Sequence, residues 1–297
     1  LRRSGFNLDF IGIGAARSGT SWVARCLREH PAIFLPERKE LHFFNDDRKY
    51  DRALSWLKPF YEKADPNALW GEYTPRYIID ETALERIRAA FPEIRMLVML
   101  RDPVDRAYSQ YCYFRFNKKK EDCGDFLAAL DGFYKEDYVV KSLYHEQLRR
   151  VFELFGRDRT WIGLFDDIRS EPVRLIRGLY RFLGVDDGYT PPAVDAVVNR
   201  SHSESASPPF LWARTVRWIT YSRLPGVTPL QRRIMPRIAR INRWMDEQEA
   251  TGRIRAHRPL AAADRQKAFA TYFRDDLEST EALLGLDLSK WKHLGSS

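Results

Sequence analysis

The chain is poor in cysteine. Cys26, Cys112 and Cys123 are the complete set in 297 residues, with no CxxC pair, which argues against a disulfide framework and a cysteine zinc site and points to a reducing compartment. Long apolar runs are also missing. The best stretch, Met96 to Leu100, is bounded by Arg95 and Arg101 and falls far short of the roughly 18 to 20 apolar residues a membrane helix needs. Internal repeats and low-complexity tracts are absent, which excludes solenoid, fibrous and disordered classes. The first residue is Leu1 rather than Met, which is compatible with a leader or anchor upstream.

Against these absences stand 44% hydrophobic and 13% aromatic residues at a mean hydropathy of -0.48, enough to bury a core. Lysine and arginine total 49 against 41 acids, a net charge of +8 that favours anionic ligands or surfaces: nucleic acid, phosphorylated cofactors or acidic lipids. The length suits one domain over 1–297.

The hydrophobic pattern reads as strands alternating with helices. Leu8 to Ile13 reads as a buried strand, Gly14 to Gly19 as a tight loop, and Thr20 to Glu29 as a helix. A short strand over Ile33 to Leu35 and helices over Asp51 to Phe60 and Glu81 to Phe91 follow. Ile94 to Leu100 is the most strand-like run, with Pro103 opening a helix through Tyr111. His145 to Phe155 reads as helix, Thr160 to Phe165 as strand, and Pro172 to Leu183 as a helix stopped by Gly184. The expected fold class is α/β with a central parallel sheet flanked by helices, and with a helical C-terminal elaboration. Within it, 208–250 reads as an arginine-rich helical insertion: Phe210 to Arg243 holds eight arginines and no acid. That segment is either a solvated appendage or a surface for an anionic acceptor or membrane face.

Two loops carry chemistry. A strand, then Gly14-Ala15-Ala16-Arg17-Ser18-Gly19-Thr20-Ser21, then a helix, surrounds an oxyanion with backbone N–H groups. Compared with the GxxxxGK[ST] pattern, Thr20 stands where a lysine would reach a nucleotide phosphate, and the cation is Arg17. At the end of the Leu97 to Leu100 strand, where an NTPase would place a magnesium aspartate, stands Arg101, followed by a helix bearing Arg106 and Ser109. Ligands of parallel sheets sit at the carboxyl ends of strands, so both loops face one crevice. The alternative for Arg101 is a structural pairing with Asp102 or Asp105.

Three ordered segments, IGIGAARSGTSWV (Ile11 to Val23), RKELHFF (Arg38 to Phe44) and RDPVDRAYSQY (Arg101 to Tyr111), resemble the PAPS-dependent sulfotransferases. The resemblance is to the heparan-sulfate-type branch and its bacterial relatives, and it extends through SLYHEQL (Ser142 to Leu148), the Trp161 strand and the closing DLSKW. It implies a P-loop-like three-layer fold and 3'-phosphoadenosine 5'-phosphosulfate (PAPS) as donor, with PAP as product. By this resemblance Arg17, Ser18, Gly19, Thr20 and Ser21, followed by Trp22, would bind the 5'-phosphosulfate end, and Arg101 with Ser109 the 3'-phosphate. Glu40 would be the general base and Arg17 would stabilise developing charge, with no metal. His42 would orient Glu40, contact the acceptor, or itself be the base as in the cytosolic small-molecule branch. Tyr144 would pack near the nucleotide.

Two departures are visible. Tyr73, in Gly71-Glu72-Tyr73-Thr74-Pro75, stands where heparan-type enzymes carry a lysine. The disulfide-bearing loop of those enzymes has no cysteines here, and by position Arg200, in Asn199-Arg200-Ser201, would be its substitute. The expected partner is a hydroxyl-bearing acceptor: a small molecule, a glycan or a lipid. Nucleic acid is not expected, and peripheral membrane contact would run through the arginine-rich insertion. The expected location is cytoplasmic, the alternative being the soluble catalytic domain of a membrane-anchored enzyme. Two rival readings are a P-loop NTP-dependent kinase, which would need magnesium, and a basic nucleic-acid-binding module.

Overall fold

A computed structural model describes residues 6–195 and 260–292. Its centre is one five-stranded parallel sheet in the order β2-β3-β1-β4-β5. The strands are β1 (Phe10–Gly14), β2 (Ile33–Phe34), β3 (Leu69–Tyr73), β4 (Arg95–Leu100) and β5 (Thr160–Leu164). The longer helices are α1 (Thr20–Glu29), α2 (Glu81–Ala90), α3 (Pro103–Cys112), α4 (His145–Phe155), α5 (Pro172–Leu183) and α6 (Arg274–Leu284). Phe10 pairs with Gly71 on one side of β1 and Arg95 on the other, and Leu97 pairs with Trp161.

Alternation along the strands sends side chains to opposite faces. Ile11, Ile13, Met96, Val98 and Leu100 pack under α2, α3, α4 and α6. Phe10, Leu97 and Met99 pack under α1 and α5. The result is three layers, helix, sheet and helix, in which each fully buried aliphatic or aromatic side chain stabilises by about 1.5–3 kcal/mol. Helix starts follow their caps: the Asp80 carboxylate accepts from Ala83 N at 2.9 Å before α2, and Asp102 accepts from Asp105 N at 3.0 Å before α3. Gly184, with φ +75°, ends α5.

One expectation is corrected. Asp51 to Phe60 is no continuous helix but two short 3-10 turns, Leu54–Trp56 and Lys58–Tyr61. Ala53 takes φ +53°, and Pro59 lacks the N–H a helix interior needs. The sequence pattern also hides β3, whose Gly71 and Glu72 interrupt the apolar run, although the strand is buried beside β1.

Because all five strands are parallel, their carboxyl ends share one edge. The Ala15–Gly19 loop, Arg101, Phe165 and the segment following β2 all meet there. Glu40 N donates to Tyr73 O at 3.0 Å, which ties that segment to the end of β3.

Candidate active site

The loop after β1 is built around left-handed backbone. Gly19 has φ +80°, and a Cβ there would lie 2.3 Å from Ile168 Cδ1, so glycine is required both for its angle and for the close approach. Arg17 also has a positive φ, +72°, a conformation that costs a non-glycine residue roughly 1–3 kcal/mol. Its surroundings hold it. Nε donates to Ser109 Oγ at 3.2 Å, the guanidinium lies 4.8 Å over the Tyr113 ring, and its carbonyl accepts from Arg101 Nη1 at 3.2 Å. α1 has neither a side-chain cap nor an acid in its first turn, so its orphan N–H groups and positive dipole end remain for an anion.

Arg101 leaves the end of β4 and stacks 4.4 Å from the Phe165 ring. Tyr144 Oη donates to its carbonyl at 2.9 Å. The pairing with Asp102 or Asp105 does not form: both carboxylates are bound by Arg265, which donates to Asp102 Oδ2 at 3.0 Å and also grips Asp105 Oδ1. Arg101 Nε is buried without a hydrogen-bond partner among the described residues. Ser18 Oγ is likewise buried and makes no hydrogen bond of ordinary geometry. Beneath the loop the fully buried Arg106 donates from Nε to Ala16 O at 3.2 Å, and from Nη1 to Asp137 O at 2.5 Å and Ser142 Oγ at 3.1 Å. Burial pulls its guanidinium down to about 10. Arg17 is lowered first by burial and then by Arg101, and Arg101 by burial. Like charges gathered away from water in this way favour an incoming anion.

The third side of the crevice is the segment after β2. Lys39 Nζ donates to Thr20 Oγ1 at 3.0 Å and Ser21 Oγ at 3.2 Å, and lies 3.4 Å from Glu40 Oε1. It thereby brings a cation from a different element to Thr20 and Ser21. Burial lowers its ammonium. Glu40 Oε2 stands 3.8 Å from His42 Nε2. The carboxyl is held below the ordinary glutamate value, first by His42 and also by Lys39, against the opposing effect of burial. His42 Nδ1 pairs with Asn45 Oδ1 at 3.2 Å, which fixes the ring with Nε2 toward Glu40.

The structure therefore gathers Arg17, Ser18, Gly19, Thr20, Ser21, Arg101, Ser109, Glu40 and His42 at one sheet edge. Trp22 does not join them. It is 3% exposed in the core cluster with α5, and its Nε1 donates to Val194 O at 3.2 Å. Tyr144 is fully buried and reaches the site through its hydroxyl, which holds the Arg101 backbone and also lies against Ser18. Arg200 and the 208–250 insertion lie outside the described residues. Sequence reasoning passed over Lys39, Asn45 and Glu72. Lys39 sits in the string Arg38-Lys39-Glu40, which resembles a solvated face, and only the chain crossing over β3 brings it to Thr20.

The family model of the sulfotransferase domain matches residues 8–207, which include the glycine loop, the Glu40 segment and Arg101. This chain belongs to the sulfotransferase family. Among curated relatives, heparan sulfate glucosamine 3-O-sulfotransferase 5 of Homo sapiens is 27% identical over 187 residues, covering 59% of this chain and 53% of that protein. A membrane-associated sulfotransferase of Dictyostelium discoideum is 33% identical over 106 residues, 35% of this chain and 22% of that one. The chain thus spans about half, or less, of the length of these relatives. The crystal structure of a sulfotransferase from Alicyclobacillus acidocaldarius superposes with a TM-score of 0.68 at 22% identity, covering 97% of this chain and all of that one, and shows the same fold. In this sulfotransferase about half of the described chain is helical around the parallel sheet, as the sequence pattern anticipates.

Proposed function

We propose that this sulfotransferase moves the sulfuryl group of PAPS to an acceptor hydroxyl, with Glu40 as general base and charge neutralised by side chains rather than by a metal. The observation that carries this reading is Lys39, which touches the anion loop at Thr20 and Ser21 and the carboxylate of Glu40 at once. The residues present suit an anionic donor: Arg101 Nε is buried without a partner among the described residues, and the cations Arg17, Arg101 and Lys39 are partly desolvated. When bound, PAPS supplies an activated sulfuryl group and a phosphate at each end. Arg17, Ser18, Gly19, Thr20 and Ser21 would hold the phosphosulfate end, and Arg101 and Ser109 the 3'-phosphate. The Arg17 to Ser109 hydrogen bond makes these two sets one continuous patch.

In this reading Glu40 accepts the proton of the acceptor hydroxyl, and His42, oriented by Asn45, keeps the carboxylate ionised and aimed. Arg17 and Lys39 stabilise the negative charge that gathers on the leaving oxygen. Family likeness supports an alcohol acceptor, whether small molecule, glycan or lipid, and a cytoplasmic location is proposed. Tyr73, which replaces a lysine of the heparan-type branch, is buried with Lys39 Nζ 5.5 Å over its ring, so Lys39 supplies a cation at this place.

The test is a pair of substitutions read by PAP release and PAP titration. Glu40→Gln is expected to cut turnover by about 10²-fold or more while PAP affinity stays within twofold. Lys39→Met is expected to lower both turnover and PAP affinity. Unchanged turnover in Glu40→Gln removes Glu40 from the base role and moves it to His42.

A further inference from the structure

The segment that carries Glu40 is held in an unusual manner. Glu40 has φ +63° and His42 φ +52°, so two non-glycine residues take left-handed backbone on either side of the fully buried Leu41. Each such residue costs roughly 1–3 kcal/mol and persists only where its surroundings over-determine it. Here five consecutive N–H groups are received by one short stretch, 72–77. Glu40 N donates to Tyr73 O at 3.0 Å, Leu41 N to Glu72 Oε1 at 3.2 Å and His42 N to Thr74 Oγ1 at 3.4 Å. Phe43 N and Phe44 N donate to Tyr77 Oη at 2.9 and 3.3 Å. The carbonyls of Leu41 and His42 accept from Lys49 Nζ at 2.8 and 3.2 Å. Four of the five N–H groups thus end on side chains of the Glu-Tyr-Thr-Pro-Arg-Tyr run rather than on a sheet ladder.

Glu72 is the hub of this clamp. It lies 1% exposed on β3, its Oε1 accepts from both Leu41 N and Thr74 Oγ1, and its Oε2 has no partner among the described residues. A buried carboxyl with one unpaired oxygen is destabilising in isolation, so its presence calls for a local reason. Among the described residues, neither the glycine loop nor a cation forms an ion pair with it. What it touches is the backbone beneath the base. We propose that Glu72, with Thr74 and Tyr77, is a positioning group that locks the left-handed turn at Glu40 and His42 and so aims both side chains at the anion loop. The inference rests on the reading of Glu40 as base. Glu72 acts through Glu40 and His42 and does not itself contact donor or acceptor.

Amide hydrogen exchange across residues 40–44, PAP titration and PAP release from PAPS with p-nitrophenol are measured for Glu72→Ala, Glu72→Gln and Thr74→Val, the first also combined with Glu40→Gln. The clamp predicts exchange at Leu41 to Phe43 faster by tenfold or more in Glu72→Ala, turnover lower by a similar factor, and PAP affinity within twofold of the unmutated protein. Glu72→Gln, which keeps an acceptor oxygen, should restore most of both. In the Glu40→Gln background, Glu72→Ala should cost no further turnover, whereas a merely structural role would still exact its loss. Should Glu72→Ala fail to fold, the near-isosteric Thr74→Val carries the same expectation for exchange at His42. PAP binding with unchanged exchange at 40–44 overturns the clamp alone. No PAP binding by the unmutated protein overturns the sulfotransfer reading and, with it, the catalytic consequence drawn here.

Discussion

Glu72 binds protons more tightly folded than unfolded, because burial raises its carboxyl from 4.5 to about 7. Between those values the native state holds the extra proton, so stability falls as pH rises through the window and the cost is fully present above about 7. Replacing it by Gln removes the buried charge. Glu72→Gln is therefore predicted to be more stable than the unmutated protein at pH 8, by up to roughly 3 kcal/mol, and to lose that advantage toward pH 4.5. Chemical denaturation at the two pH values checks this, and an equal difference at both would contradict a raised carboxyl. Residues of this kind were the least legible in the sequence. Arg17, Ser18, Thr20, Arg101 and Ser109 stand out because glycines and strand ends frame them. Lys39 and Glu72 do not: one lies in a charge string, and the other interrupts an apolar run that a strand would be expected to keep.

Elements were more legible than residues where periodicity and punctuation agree. α1, α4 and α5 run over the residues their patterns indicate, Gly19 precedes the first and Gly184 ends the last. The segment around Asp51 to Phe60 misleads because helix-forming residues surround Pro59, and its aromatic side chains form a small cluster in which Trp56 stacks on Phe43 and Phe60 packs against Trp56. Long-range caps cannot be seen in sequence at all. Asp276, on α6, accepts from Tyr144 N at 2.7 Å and His145 N at 3.1 Å and so caps α4 from 131 or more residues away. Asp276→Ala is predicted to cost about 1–2 kcal/mol, with a melting temperature lower by roughly 2–8 °C. Because the same cap holds the backbone of Tyr144, whose hydroxyl supports Arg101, PAP affinity should fall slightly as well. A melting curve and a PAP titration on the variant decide the matter, and an unchanged Tm would show that the cap carries no stability.

At the scale of the whole molecule, parallel strands bring every carboxyl end to one edge, and the order β2-β3-β1-β4-β5 seats the glycine loop between the strands that deliver Glu72 and Arg101. The alternation of strand and helix made that architecture readable. The crossing that lays residues 39–44 over β3 was not readable, because it depends on backbone donors meeting side chains far along the chain. The net charge of +8 takes a local meaning here, in that half-buried Arg17, Arg101 and Lys39 form a positive crevice over the buried Arg106, with Glu40 at its rim. Calorimetric titration with PAP, against adenosine 5'-phosphosulfate and against ATP with magnesium, tests the central claim most directly. The account predicts metal-independent PAP binding, tighter than adenosine 5'-phosphosulfate by tenfold or more and weakened by Arg101→Ala, with little ATP binding; absence of PAP binding, or magnesium-dependent ATP binding in its place, would contradict it.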